Sequence, residues 1–175
     1  ETPLISNPYI LPNIQVVEKW KQILSRENYP IIGINWQGNP VVEENSLKGR
    51  SLPLETFSKI LQKKTFTLLS LQKGFGSEQM NSCSFKNQFV ESQEKINKVF
   101  DFVETAAIVE CCDLIITSDT CIAHLAGAIG KEVWLLLQYV PYWTWGIKGD
   151  SSFWYRSMKI FRQRRKNDWS DVMAR

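Results

Sequence analysis

Hydrophobic positions in this chain gather into five short runs, Tyr29–Trp36, Thr65–Gln72, Asp113–Asp119, Glu132–Leu137 and Lys159–Arg162. Most are nearly continuous rather than alternating, the pattern of strands buried on both faces of a parallel sheet flanked by helices. Between the runs the period lengthens to that of a helix. Ile14, Val17, Trp20 and Leu24 make an amphipathic stripe ahead of the first run. Pro53 suits the first position of a helix that sets Phe57, Ile60 and Leu61 on one face. Asp101 and Glu104 have the spacing of a capping box, and Ala107, Ile108 and Cys111 follow at helical intervals. Thr120 to Ile129 is another helical segment, stopped by Gly130. Trp169, Val172 and Met173 mark a last short helix after Asp168.

Strand and helix therefore alternate, which predicts an α/β fold: a Rossmann-like, doubly wound, mainly parallel sheet with flanking helices. Residues 1–28 read as an N-terminal linker and amphipathic helix, and 29–175 as the Rossmann-like domain. Two connections are long, Gln37 to Leu52 and Lys73 to about Phe100. Connections beyond about 12–15 residues in a compact domain tend to be functional or mobile. Both follow strands, and ligands of such sheets bind beyond the carboxyl ends of the strands.

A chain of 175 residues, 43% hydrophobic and 22% charged, is one domain and neither disordered nor collagen-like. No apolar run approaches the roughly 18 residues of a membrane span. The first residues, Glu-Thr-Pro-Leu, lack the basic and apolar regions of a signal peptide, and the absence of an initial Met suggests the end of a longer chain. Net charge is +3, unevenly placed: Arg156, Lys159, Arg162, Arg164, Arg165, Lys166 and Arg175 stand against Asp168 and Asp171, leaving the remainder at −2. Without a broad basic face, no nucleic acid is expected as a partner. The four cysteines, Cys83, Cys111, Cys112 and Cys121, form no CxxC pair and read as reduced, buried thiols of a cytoplasmic protein. With His124 the one histidine, no metal site is expected.

The sharpest local feature is Thr117-Ser-Asp-Thr-Cys-Ile-Ala-His-Leu-Ala-Gly-Ala-Ile-Gly130. A buried strand ends at Asp119 and Thr120 and a helix begins at once. Its first N–H groups, at Thr120 and Cys121, and the Thr120 hydroxyl form a seat for a diphosphate. Equally, Asp119 or Thr120 simply caps the helix. His124 lies one turn deeper, either as a core residue or leaning back toward the helix start. In the first long connection Gly38 allows close backbone approach, and Lys48 and Arg50 are either phosphate clamps or solvated charges. In the second, Leu71-Gln-Lys-Gly-Phe-Gly-Ser-Glu78, Glu78 suits ribose hydroxyls or solvent. Tyr139, Tyr142, Trp143, Trp145, Phe153, Trp154 and Tyr155 follow the fourth run, as a recognition surface or a small core.

The series "WQGNP", "RSLPL", "SLQKG", "FVETAAIVECCDLIITSDTCIAHLAGAIGKEVWLLL", "WYRSMKIFRQ" and "NDW" resembles glycosyltransferase family 9, closest to the heptosyltransferase-like domains fused to tetratricopeptide repeats in bacteria. The Asp-Thr-x-x-x-His-Leu-Ala-Gly-Ala block is its specific part. The resemblance implies a GT-B architecture of two Rossmann-like halves, of which this chain looks like the C-terminal, nucleotide-sugar-binding one. By position, Asp119, Thr120 and Cys121 would meet the donor's phosphates and sugar, with His124 beside them. Arg50 would contact the diphosphate, and Lys48 and Gly38 are counted with it among the expected donor-binding residues. Glu78 would hold the ribose, and the base would rest at Phe100, Asp101 and Phe102.

Two departures accompany the resemblance. Cys121 stands where the family usually has Gly, narrowing backbone access. The catalytic base of inverting members is a carboxylate on the N-terminal half, so no catalytic residue is expected in this chain. The expectation is a donor-binding domain of an inverting, metal-independent glycosyltransferase, without a cofactor and inactive alone. Its partners would be a nucleotide sugar and the missing half or the repeats, and an open cleft face would allow homo-oligomers. The alternative is a degenerate, non-catalytic interaction module with the same fold.

Overall fold

The computed structural model describes residues 7–45, 47–61 and 66–175. Five strands, β1 (Ile31–Asn35), β2 (Thr67–Ser70), β3 (Leu114–Ser118), β4 (Val133–Leu137) and β5 (Met158–Arg162), form one sheet in the order β2-β1-β3-β4-β5. Every pairing is parallel. Gly33 of β1 faces Leu69 on one side and Ile115 on the other, which fixes the central register. All five expected strands are present with their ends moved by a few residues; Thr65 lies outside the described residues.

Side chains alternate along each strand, so the sheet has two apolar faces. Ile31, Leu69, Ile115, Leu135 and Ile160 point to one face, Ile32, Leu68, Ile116, Leu136 and Phe161 to the other. The first is covered by α1 (Ile14–Leu24), α5 (Phe102–Glu110) and α6 (Cys121–Ile129). The second is covered by a 3-10 turn at Leu54–Phe57 that runs into the short helix α3 (Ser58–Leu61), and by the C-terminal helix α7 (Trp169–Ala174). The result is a doubly wound, Rossmann-like α/β domain.

The helix signals held unevenly, for identifiable reasons. Asn13 caps α1 by accepting from Gln15 and Val16 N–H, and Val17, Trp20 and Leu24 are buried while Ile14 in the first turn stays exposed. Pro53 is extended and stands just before the 3-10 turn rather than inside an α-helix. Asp101 caps α5 through Glu104 N–H at 2.8 Å, but the capping box is only half formed. The Glu104 carboxylate reaches across instead to Lys19 Nζ at 2.6 Å and to Trp20 Nε1, joining α1 to α5. Both long connections carry structure of their own, the short helices α2 (Pro40–Asn45) and α4 (Gln93–Asn97) and 3-10 turns at Ser77–Asn81 and Lys86–Gln88.

α6 ends as its sequence predicts: Gly130 adopts φ 90°, and its N–H and that of Lys131 close back on Ala126. Earlier in α6, Gly127 meets the Tyr155 ring so closely that a Cβ there would lie 2.5 Å from it. Gly127→Val should therefore overpack this contact at a cost of about 1–3 kcal/mol. Thermal unfolding should show a fall in Tm of roughly 2–4 °C for each kcal/mol in a chain of this size. An unchanged Tm would mean that Tyr155 moves aside freely.

Candidate functional site

β1 and β3 are neighbours whose onward connections lead to opposite edges of the sheet, so the switch point lies beyond Asn35 and Ser118. A cavity of about 450 Å³ opens there, lined by residues of the first connection, the segment after β2, the approach to α5 and the start of α6. Its floor is built by Gln72. The buried amide oxygen of Gln72 accepts from Asn35 Nδ2 and from the N–H groups of Trp36 and Gln37, and its nitrogen donates to the carbonyls of Gln37 and Phe75. Five bonds from one side chain thus tie the end of β1 to the turn after β2.

Arg50 reaches the same cavity from the far end of the first connection. Its residue is 8% exposed, and its guanidinium lies flat on Gly38, where a Cβ would sit 2.4 Å from it. Nη1 donates to the Asp119 carbonyl at 3.1 Å, while Nε is buried without a partner. Among the described residues no ion pair includes Arg50. The loop is held by Ser51, whose N–H donates to Glu43 and whose hydroxyl accepts from Gly38 N–H.

Thr120 is extended, with φ −139°, and makes no side-chain cap to α6. Its hydroxyl donates to Asn35 Oδ1 at 2.9 Å, so it is already engaged with the floor rather than free for a ligand. Asp119 does not cap either: its Oδ1 accepts from Trp145 Nε1 at 2.8 Å, and Oδ2 is buried without a partner. The first turn of α6 is left uncapped by side chains where Thr120, Cys121 and Ile122 line the cavity, and its positive dipole end suits an anion.

Of the residues singled out from the sequence, Gly38, Arg50, Thr120, Cys121, Phe100, Asp101 and Phe102 meet in this cavity. Asp119 and His124 lie behind it. His124 stacks on Trp145 with ring centroids 4.7 Å apart, and its Nδ1 is 3.0 Å from Tyr155 Oη. Lys48 is exposed outside the lining, and Glu78 is exposed and lines a second cavity of about 560 Å³ that shares Gln72, Lys73 and Phe100 with the first. Trp145 and Tyr155 form a small core with His124, whereas Tyr139, Tyr142, Trp143, Phe153 and Trp154 stay exposed. All four cysteines are free thiols; Cys83 and Cys112 are buried, but Cys121 is exposed because it opens α6 at the cavity rim. Sequence reasoning missed Asn35, Gln72 and Lys73. The signal for Asn35 and Gln72 was a polar residue closing an otherwise apolar strand.

The basic C-terminal segment is largely satisfied locally. Arg162 donates to the carbonyls of Trp145, Gly146, Lys148 and Gly149, and Arg164, Arg165 and Arg175 pair with Asp171 or Asp168. Among the described residues no group of three or more His, Cys, Asp or Glu is placed to hold a metal ion, and no helix is long and apolar enough to cross a membrane.

No protein-family model matches the sequence, and no curated protein matches it either. The structure, however, resembles solved ones. A glycosyl transferase family 9 protein from Veillonella parvula DSM 2008 superposes with a TM-score of 0.60 and 13% identity, over 90% of this chain and 44% of that one. E. coli ADP-heptose lps heptosyltransferase II superposes with a TM-score of 0.59 and 15% identity, over 95% of this chain and 48% of that one. The chain therefore has a glycosyltransferase-like, Rossmann-type fold and spans less than half the length of either similar protein.

Burial pushes His124 below the ordinary imidazole pKa of 6.5, with Asp119 opposing the shift. The folded state then takes up this proton less readily than the unfolded chain. Its contribution to stability is present above about pH 6.5 and is lost as pH falls through that value toward the folded pKa. Urea unfolding near neutrality and in mild acid should show a larger acid loss for the wild type than for His124→Asn. Equal losses would show that His124 titrates as it does in water.

Proposed function

We propose that this domain binds the diphosphate of a nucleoside-diphosphate sugar, as the donor half of an inverting, metal-independent glycosyltransferase. The observation that carries the reading is Arg50: a buried cation with no carboxylate partner among the described residues, beside the uncapped start of α6. A guanidinium out of water is costly without a counter-charge, and an anionic ligand would supply one. In transfer, an acceptor hydroxyl would attack the anomeric carbon. The leaving diphosphate would gather negative charge where Arg50 and the dipole of α6 stabilise it.

Proton removal from the acceptor requires a base, which this reading assigns to a further domain, in keeping with a chain that covers less than half of either similar structure. Glu78, Phe100, Asp101 and Phe102 would serve the nucleoside, and Asp119 and His124 the sugar side. Residues 29–175 would be the donor domain, joined in the natural protein to an acceptor half or to tetratricopeptide repeats, and acting in the cytoplasm. The exposed Tyr142, Trp143, Phe153 and Trp154 favour a second reading, a non-catalytic module that holds a partner through this surface.

Calorimetric titration with UDP, ADP, GDP and their sugar conjugates separates the two. Binding of one nucleotide series is expected, and Arg50→Ala should weaken it roughly ten- to a hundredfold, the loss of a charged hydrogen bond. Thr120→Ala should weaken it too, because Asn35 loses the bond that positions the start of α6. Unchanged affinity in both variants would remove the diphosphate assignment, and no binding of any nucleotide would favour the interaction module.

A further inference from the structure

Lys73 is the one other cation in the lining of the first cavity among the described residues. It stands at the boundary with the second cavity, half-buried, where Gln72, Lys73 and Phe100 form the shared wall. Its ammonium donates to the Ile96 carbonyl and lies 5.8 Å from the centre of the Phe100 ring. The charged groups that line the two cavities around it are Arg50 and Asp101 in the first and Glu78, Lys86 and Glu94 in the second, with the Cys121 thiol also lining the first. None of them makes an ion pair with Lys73.

The geometry points to Lys73 as a second anchor for the anionic part of the ligand, sharing the lining of the cavity with Arg50. The inference rests on the anion site proposed above and adds to it Lys73, a residue of the SLQKG segment to which the resemblance gives no role. Among the described residues Lys73 has one carbonyl acceptor for a group with three donors. A phosphate oxygen entering the cavity would offer it a charged acceptor in place of a neutral one, and charged hydrogen bonds are about twice as strong. The two cations also differ in kind. A guanidinium keeps its charge at every accessible pH, whereas an amine does not.

Burial pushes the Lys73 amine down to about 8. Without an anion the side chain therefore loses its proton as pH rises through that value. A bound anion favours the charged form and raises the pKa, so binding takes up a proton in mildly alkaline solution and weakens as pH rises.

The test is calorimetry with whichever of UDP, ADP and GDP binds the wild type most tightly, run from about pH 7 to about pH 8.5, where an ordinary lysine would keep its charge. Wild-type affinity should fall several-fold across this range. Lys73→Met should bind roughly tenfold more weakly near pH 7 and show a flat profile, the loss expected for one charged hydrogen bond. Lys73→Arg should bind well at both ends, because its charge does not titrate. Mass-spectrometric mapping of amine acetylation should show the nucleotide protecting Lys73 while exposed Lys48 reacts as before. If Lys73→Met matches the wild type in affinity and pH profile while Arg50→Ala is weakened, Lys73 is a bystander and the anion site stands. If the wild type binds none of the three nucleotides, both assignments fall.

Discussion

The amide of Gln72 makes five hydrogen bonds while only 3% exposed, and the shape of the cavity depends on it. An amide can satisfy both ends of its dipole only where donors and acceptors arrive from different segments. Here they come from β1, from the connection that follows it and from the turn after β2. Through Asn35 the same network reaches the Thr120 hydroxyl, and so the start of α6. Removing any member would leave buried polar groups unpaired, which costs more than the bonds contribute when complete. The switch point is thus a rigid frame rather than a gap between loops.

Within that frame the charges are distributed unequally. In the C-terminal segment Arg164, Arg165 and Arg175 are engaged with nearby carboxylates, and Arg162 with backbone carbonyls that hold the 145–149 loop. Arg50 is the reverse case, a buried guanidinium with one carbonyl acceptor among the described residues. It reaches this position because Gly38 has no side chain to exclude it. A local positive charge beside a helix N-terminus is a site that favours anions over neutral ligands. Behind it, Asp119, Trp145, His124 and Tyr155 form a hydrogen-bonded and stacked column that sets the direction of the Asp119 carboxylate.

The sequence by itself determined the five strands, because continuous apolar runs bounded by polar residues have few other stable homes than a sheet covered on both faces. It also determined the end of α6 at Gly130 and the cap of α5 at Asp101, since both depend on the chemistry of one or two neighbouring residues. The seat at Asp119–Thr120 was legible as a strand turning straight into a helix. Tertiary structure decided what those residues do. Glu104 has capping-box spacing, yet Lys19 and Trp20 claim its carboxylate from another helix. Thr120 has the composition of a cap, yet Asn35 takes its hydroxyl. Arg50 and Lys48 are indistinguishable as charges on a loop, and only the packing of Arg50 against Gly38 separates a buried cation from a solvated one. Lys73 carries no local signal, and Gln72 only that of a polar residue closing an apolar run, because their roles arise from segments far apart in the chain that meet at one edge of the sheet. Spacing fixes what neighbours can do to each other, whereas burial and long-range partners are set only when the sheet closes.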